Sequence, residues 1–126
     1  MKSLLVIVFS LSGIFLVQTN LTKISDAISS GDAEALRPYF DKSVEISIGD
    51  DFDFYPKNEA VTIVKNFFSS HTPAGYSQTH EGTSLGKDSR YVIGDLKTSS
   101  GSFRVYIYLN GLKGQEVIQE LRFNRK

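Results

Sequence analysis

After Gly75 the chain changes its period. "YSQTHEGTSLG" (76–86), "SRYVIGDLKT" (89–98), "GSFRVYIYLN" (101–110) and "QEVIQELRFN" (115–124) alternate side-chain character, with Gly, Ser and Asp between them. Alternation at period two places neighbouring side chains on opposite faces of a strand, so these runs predict four consecutive antiparallel strands. No other feature limits the fold as strongly, because such a meander has a face that other elements must cover. Phe103, Val105, Ile107 and Leu109 line one face of the third run, and Arg104, Tyr106 and Tyr108 the other. A turn over residues 98–101 would bring Val92, Gly94 and Leu96 onto the Phe103 face. Both faces carry apolar or aromatic groups, so neither is expected to be fully wet.

The cover comes from the first half. Leu21, Ile24 and Ile28 recur at helical spacing, and Ser29-Ser30-Gly31-Asp32 ends that helix and caps the next. Gly31 suits a left-handed C-terminal cap, and the Asp32 carboxylate suits the following N-terminus. Leu36, Tyr39 and Phe40 form the stripe of a second helix that Pro38 keeps short. "SVEISIG" (43–49) alternates and reads as a strand. Ala60, Ile63, Val64, Phe67 and Phe68 then mark the longest helix, with Pro56 suited to its first turn. Between strand and helix lies "GDDFDFYP", rich in acids. A calcium loop needs a glycine at its sixth position and a distal glutamate, and neither is in place. The stretch therefore reads as an acidic turn and not as a metal site.

The N-terminus reads differently from the rest. Lys2 precedes an apolar run over residues 4–17, shorter than the ~20 residues that span a membrane. It has the layout of a secretory signal peptide, expected to occupy residues 1–19, with a single domain over residues 20–126. The expectation is an exported protein, periplasmic or secreted, without a stable membrane anchor. There are no cysteines, which excludes disulfides, thiol catalysis and thiolate metal sites. Acids and bases balance at 14 each, so nothing attracts a polyanion, and nucleic acid is not an expected partner.

The order of elements, with several local runs, resembles a known family. "AISSGDAEALRPYFDKSVEISI" (27–48), "AVTIVKNFFSSHTP" (60–73), "THEGTS" (79–84), "YVIGDLKTSSGSFRVYIYL" (91–109) and "VIQELRF" (117–123) are similar to the bacterial domain-of-unknown-function family 4783. The wider resemblance is to the cone-shaped fold named after nuclear transport factor 2, which is cystatin-like. It implies an α+β fold with N-terminal helices packed on a curved antiparallel sheet, and it implies export. It supplies no activity, cofactor or catalytic residue. Members of the wider fold include isomerases, hydrolases and binding modules, with a pocket between helices and sheet, and related folds often dimerise through the back of the sheet.

Two readings follow for function. A pocket enzyme of isomerase or hydrolase type would use His80 or a tyrosine as its acid or base. His80 is placed with Tyr76, Gln78 and Gly82 on one strand face; a three-residue turn at Gly86-Lys87-Asp88 would aim that face at the core, and a two-residue turn would reverse it. No acid or nucleophile partner is evident for His80, His71 sits in a loop with none, and Asp95 and Glu120 are expected to pair with Arg104 and Arg122 across strands. The reading preferred is a non-catalytic exported binding module, for a small apolar ligand or a protein, with no catalytic, cofactor or metal residues. Its expected pocket lining is Tyr39, Phe40, Phe67, Tyr76, Gln78 and His80. Its expected interface is Ile93, Tyr106, Tyr108 and Ile118 on the back of the sheet, anchors with a charged rim, through which a homodimer would form. That register requires an odd-length loop around Gly111-Leu112-Lys113-Gly114, which a glycine bulge could supply; an even loop would instead carry Tyr106 and Tyr108 into the concave pocket.

Overall fold

A computed structural model describes residues 19–83, 88–112 and 114–126. Residues 1–18 of the expected signal peptide and the turn at Gly86-Lys87 lie outside the described residues. Helices α1 (Asn20–Ser30) and α2 (Ala33–Leu36) are followed by a tight turn at Arg37–Tyr39 and strands β1 (Phe40–Ile48) and β2 (Asp51–Pro56). Helix α3 (Lys57–Ser70) leads into β3 (Pro73–Thr83), β4 (Ser89–Thr98), β5 (Gly101–Asn110) and β6 (Val117–Arg125). The sheet order is β2-β1-β6-β5-β4-β3. It is mixed, since β1 lies parallel to β6 while every other neighbouring pair is antiparallel.

The helix junction forms as its residues dictate. Gly31 takes φ 70°, and the N–H groups of Gly31 and Asp32 bond back to the carbonyls of Ile28 and Ala27. One residue on, the Asp32 carboxylate accepts the Ala35 N–H at 3.1 Å. Pro38 falls inside the tight turn that ends α2, so that helix is only four residues long. This compact pair lays Ile24, Ile28 and Leu36 against the sheet, fully buried.

All three helices cover one face. Ala60, Val61, Val64, Phe67 and Phe68 are the buried residues of α3, with Val61 taking a place that the periodicity gave to the half-buried Ile63. Beneath them lie Phe103, Val105, Ile107 and Leu109 of β5 with Leu121 and Phe123 of β6. Burying side chains of this size is worth about 1.5–3 kcal/mol each, which makes this layer the main support of the fold.

Three departures from the sequence reading bear on function. The acidic stretch is a strand: Gly49 turns the chain at φ 60°, and Asp51–Pro56 pairs antiparallel with β1 as an edge strand. Asp51, Asp53 and Tyr55 alternate with Phe52 and Phe54, a period-two signal masked by the density of acids. Next, Gln119 is an extra residue in β6, so that Leu109 faces Ile118 while Tyr108 faces Glu120. The β5–β6 connection is six residues, an even number, yet Tyr106 and Tyr108 keep their outward face because the bulge restores the parity. Ile118 is carried inward and is fully buried. A similar extra residue at Thr79 separates Gln78, opposite Gly94, from His80, opposite Ile93. Its hydroxyl donates to the Ile93 carbonyl at 3.2 Å, and such bulges add the bend that curves the sheet.

Candidate functional site

The space between helices and sheet is occupied by side chains. Phe67 stacks on Phe123 with centroids 4.1 Å apart and meets the edge of Phe103 at 5.1 Å, while Phe68 stands edge-on to Phe123 at 6.1 Å. Phe40 is buried in the same cluster, so Phe40 and Phe67, expected to line a cavity, pack into the core. His71 is not isolated; its ring lies 4.9 Å from Phe103 and its Nδ1 meets the Ser100 hydroxyl. Tyr39 is half-buried at the outer edge of the helices. Gln78 is exposed, reaching Glu81 at 3.2 Å.

Tyr76 is the one member of the expected pocket with unusual chemistry. Its ring lies over Gly94, where any Cβ would overlap it, so the glycine makes the place for the tyrosine. The hydroxyl is buried and finds no hydrogen-bond partner among the described residues. Burial, with a smaller contribution from the Asp95 charge, pushes its pKa up to about 12. A phenol held neutral in this way is a poor base at ordinary pH.

His80 stands on the opposite face from the one expected. The bulge at Thr79 turns it away from the helices, it is exposed, and its Nδ1 lies 3.2 Å from the Thr79 hydroxyl. It therefore does not share a cavity with Tyr76. Asp95 and Arg104 face each other in register, but the cation nearest Asp95 is Lys126 at 3.2 Å. Arg122 pairs with Glu120 along its own strand and approaches Glu45 across the sheet at 4.0 Å.

One buried charge was invisible to pattern reading. Glu116, at the start of β6, is 2% exposed and accepts from Arg90 Nε at 2.8 Å and from the Gly114 N–H at 2.6 Å. Arg90 also bonds Glu81, and the Glu116 carbonyl accepts from Asn20 at 3.1 Å. Burial opposes the charge on Arg90, but the two carboxylates more than offset it and hold the guanidinium above its ordinary pKa. The network ties α1, β4 and the β5–β6 connection together around a hollow of about 280 Å³. Its charges are already paired, which marks a structural clasp. Among the described residues no cluster of three metal-ligating side chains occurs, and no helix is long and apolar enough to cross a membrane.

The back face, which no helix among the described residues covers, is organised in rows that only the registers reveal. Tyr91, Tyr108, Glu120, Glu45 and Phe54 are successive lateral neighbours from β4 to β2. Beside them run His80, Ile93, Tyr106, Arg122, Ser47 and Phe52. Glu120 and Arg122 thus lie in the middle of the face, with aromatic rings on both sides, and not on a rim. Phe52 and Phe54 are 67% and 63% exposed. Two shallow grooves of about 340 and 320 Å³ share Tyr108 and Glu120, and a third of about 270 Å³ continues past Tyr106 and Asn124.

The comparisons with known proteins agree with this architecture. The family model described as "Domain of unknown function (DUF4783)" matches residues 21–124. The chain belongs to that family. A solved DUF4783 family protein from Bacteroides uniformis ATCC 8492 is 26% identical, with TM-score 0.76 over 82% of this chain and 94% of that one. Another, from Bacteroides fragilis YCH46, is 25% identical, with TM-score 0.76 over 82% of this chain and 96% of that one. An NTF2-like protein of unknown function from Silicibacter pomeroyi DSS-3, 12% identical, has TM-score 0.61 over 84% of this chain and 89% of that one, a likeness of fold alone. A search of curated proteins finds no match. The family thus has the nuclear transport factor 2-like fold, and that fold does not specify an activity.

Proposed function

We propose that the protein is an exported, non-catalytic binding module that works through the uncovered face of its sheet. The observation that carries this reading is the placement of the large side chains. Phenylalanines fill the helix-covered side, while tyrosines, Phe52 and Phe54 extend across the side that no helix among the described residues covers. A pocket enzyme would need an acid or base and a substrate cavity together. Here His80 and Tyr76 are on opposite faces, and the phenol is held neutral.

A second copy of the chain is the first protein partner to test, because the edge residues Phe52 and Phe54 continue the aromatic rows to the rim. Sedimentation of wild type and of a Tyr106→Glu, Tyr108→Glu variant reads it. Self-association lost in a variant that keeps its urea midpoint supports the face. Export is supported by the signal-like run at residues 4–17. Intact-mass analysis of the protein from its host should find a mature N-terminus near residues 18–21, and only full-length cytoplasmic chain would overturn it.

A further inference from the structure

The composition of the back-face grooves discriminates among ligand classes. An apolar ligand excludes charge, since stripping water from an ion pair is costly, and a protein interface centred here would carry an ion pair where interfaces are usually depleted of charge. Yet Glu120 and Arg122 occupy the centre of this face, opposite Tyr108 and Tyr106. A polyanion would need a continuous basic track; Arg104, Arg125 and Lys126 line the third groove, but Glu45 and Glu120 line the first, where no cation among the described residues joins the lining. What remains is a ligand that has apolar faces and hydrogen-bonding edges in alternation.

Resting on the reading of this face as the working surface, we infer that it binds an extended oligosaccharide. A pyranose ring presents a face of C–H groups, weakly positive, and a rim of hydroxyls. The electron-rich faces of tyrosine and phenylalanine accept the first. Each hydroxyl both donates and accepts, and is served by the carboxylates of Glu45 and Glu120, the Arg122 guanidinium and the amide of Asn124. These groups stay hydrated when the face is empty, and sugar hydroxyls replace that water without leaving an ion pair stranded. Length fits as well: from Tyr108 on β5 to Phe54 on β2 is three strand spacings, roughly 14 Å. The three grooves meet end to end through Tyr108, Glu120, Tyr106 and Asn124. Such a track takes a short run of sugar rings and not a single ring. Strand order assists, because the central β6 and β1 supply the polar groups while β5 and β2 on either side of that pair supply the rings.

Isothermal titration calorimetry tests this with the purified protein and five uncharged probes: the β-1,4-linked hexaoses of glucose, xylose, mannose, galactose and N-acetylglucosamine. The result expected is saturable binding of at least one. Tyr108→Ala and Tyr106→Ala should each weaken it about tenfold, whereas Tyr108→Phe should retain it because the ring face remains. Glu120→Gln should weaken it less than loss of a ring. Phe54→Ala, at an exposed edge that cannot unfold the protein, provides the same test should a tyrosine variant misfold. No binding to any of the five, or binding indifferent to all these changes, overturns the inference. Sedimentation of the same variants separates the two levels. Self-association lost on mutation with no sugar bound leaves the face and removes the ligand class; neither effect removes both.

Discussion

The two faces of one sheet are built from the same strands by alternation, and they differ in almost everything else. On the helix-covered side β5 delivers Phe103, Val105, Ile107 and Leu109, all buried. On the other it delivers Arg104, Tyr106 and Tyr108, which meet solvent to different degrees. The covered side is closed by complementary shape, and its rings contact one another at van der Waals distances. The bare side keeps large rings without a core to place them in, interleaved with charges. Isolated exposed apolar residues need no explanation, but several large rings interleaved with charges on one face are what the proposed binding role requires. Stability is thus concentrated on one face, which leaves the side chains of the other under fewer packing demands.

The largest effects should come from the covered face. Phe67→Ala removes a ring that touches Phe103 and Phe123, and should cost about 3–5 kcal/mol in urea unfolding. Tyr108→Ala, across the sheet, should cost about 1 kcal/mol or less. Equal losses at the two positions would break the comparison, since the back face would then be part of the core.

Next in size is the clasp at the end of the sheet. Glu116→Ala leaves Arg90, whose side chain is 17% exposed, without its main partner and should cost about 3 kcal/mol. Replacing both, as Glu116→Leu with Arg90→Met, should cost less than either single change because no charge is left stranded. A double variant worse than Glu116→Ala would show that the ion pair itself, and not its burial, holds α1 to the connection.

Much of the covered face was legible in the sequence, and the reason is periodicity. The stripes of α1 and α3 and the alternation of β4 and β5 each specify a face, and Gly31-Asp32 specifies the joint between helices. The bare face was legible only in part. Single extra residues at Thr79 and Gln119 reverse parity without any change in composition, so His80 moved outward and Ile118 inward. The parallel pairing of β1 with β6 joins segments far apart in sequence, and no local pattern reports it. That pairing places Glu45 and Ser47 beside Glu120 and Arg122, which is why the rows could not be assembled from the strands alone. The acids of β2 made the segment read as a turn and hid the alternation that places Phe52 and Phe54 on one face of a strand.

A smaller effect comes from Tyr76, and its sign is informative. With a buried hydroxyl that has no partner among the described residues, Tyr76→Phe should be neutral or stabilising by about 1 kcal/mol. The pH dependence follows from the same burial. The folded phenol titrates at about 12, against about 10 for an unfolded tyrosine. Between these values the unfolded chain releases the proton first, so this contribution is complete below pH 10 and is lost as pH rises through 12. The difference between wild type and Tyr76→Phe, followed by urea unfolding over that window, isolates it from lysine titration. If Tyr76→Phe destabilises by more than about 1 kcal/mol, the hydroxyl has a partner such as an enclosed water. The covered face would then contain a polar cavity, and the contrast between the two faces would weaken.

The smallest effect on stability is expected where the two faces meet, at the edge strand β2. Asp51 and Asp53 point to the helix side and Phe52 and Phe54 to the bare side, all four exposed. Asp53 accepts the neighbouring Phe54 N–H at 2.7 Å, a local bond that uses a donor another strand would need. Acids on an edge also repel a second copy of that edge. Replacing Asp50, Asp51 and Asp53 by Asn should therefore move stability by no more than about 0.5 kcal/mol, as surface changes do. Calcium should leave the wild-type melting temperature unchanged; a rise lost in the triple variant would restore a metal site. Association is the sharper reading. Sedimentation at increasing concentration should show the triple variant self-associating more than wild type. Adding Phe52→Ser and Phe54→Ser then separates the two faces of the problem: association that persists proceeds through the unpaired backbone edge, whereas association that disappears proceeds through the aromatic rows. An edge-driven result would show that the acids guard the strand, and that the bare face needs no protection from its own kind.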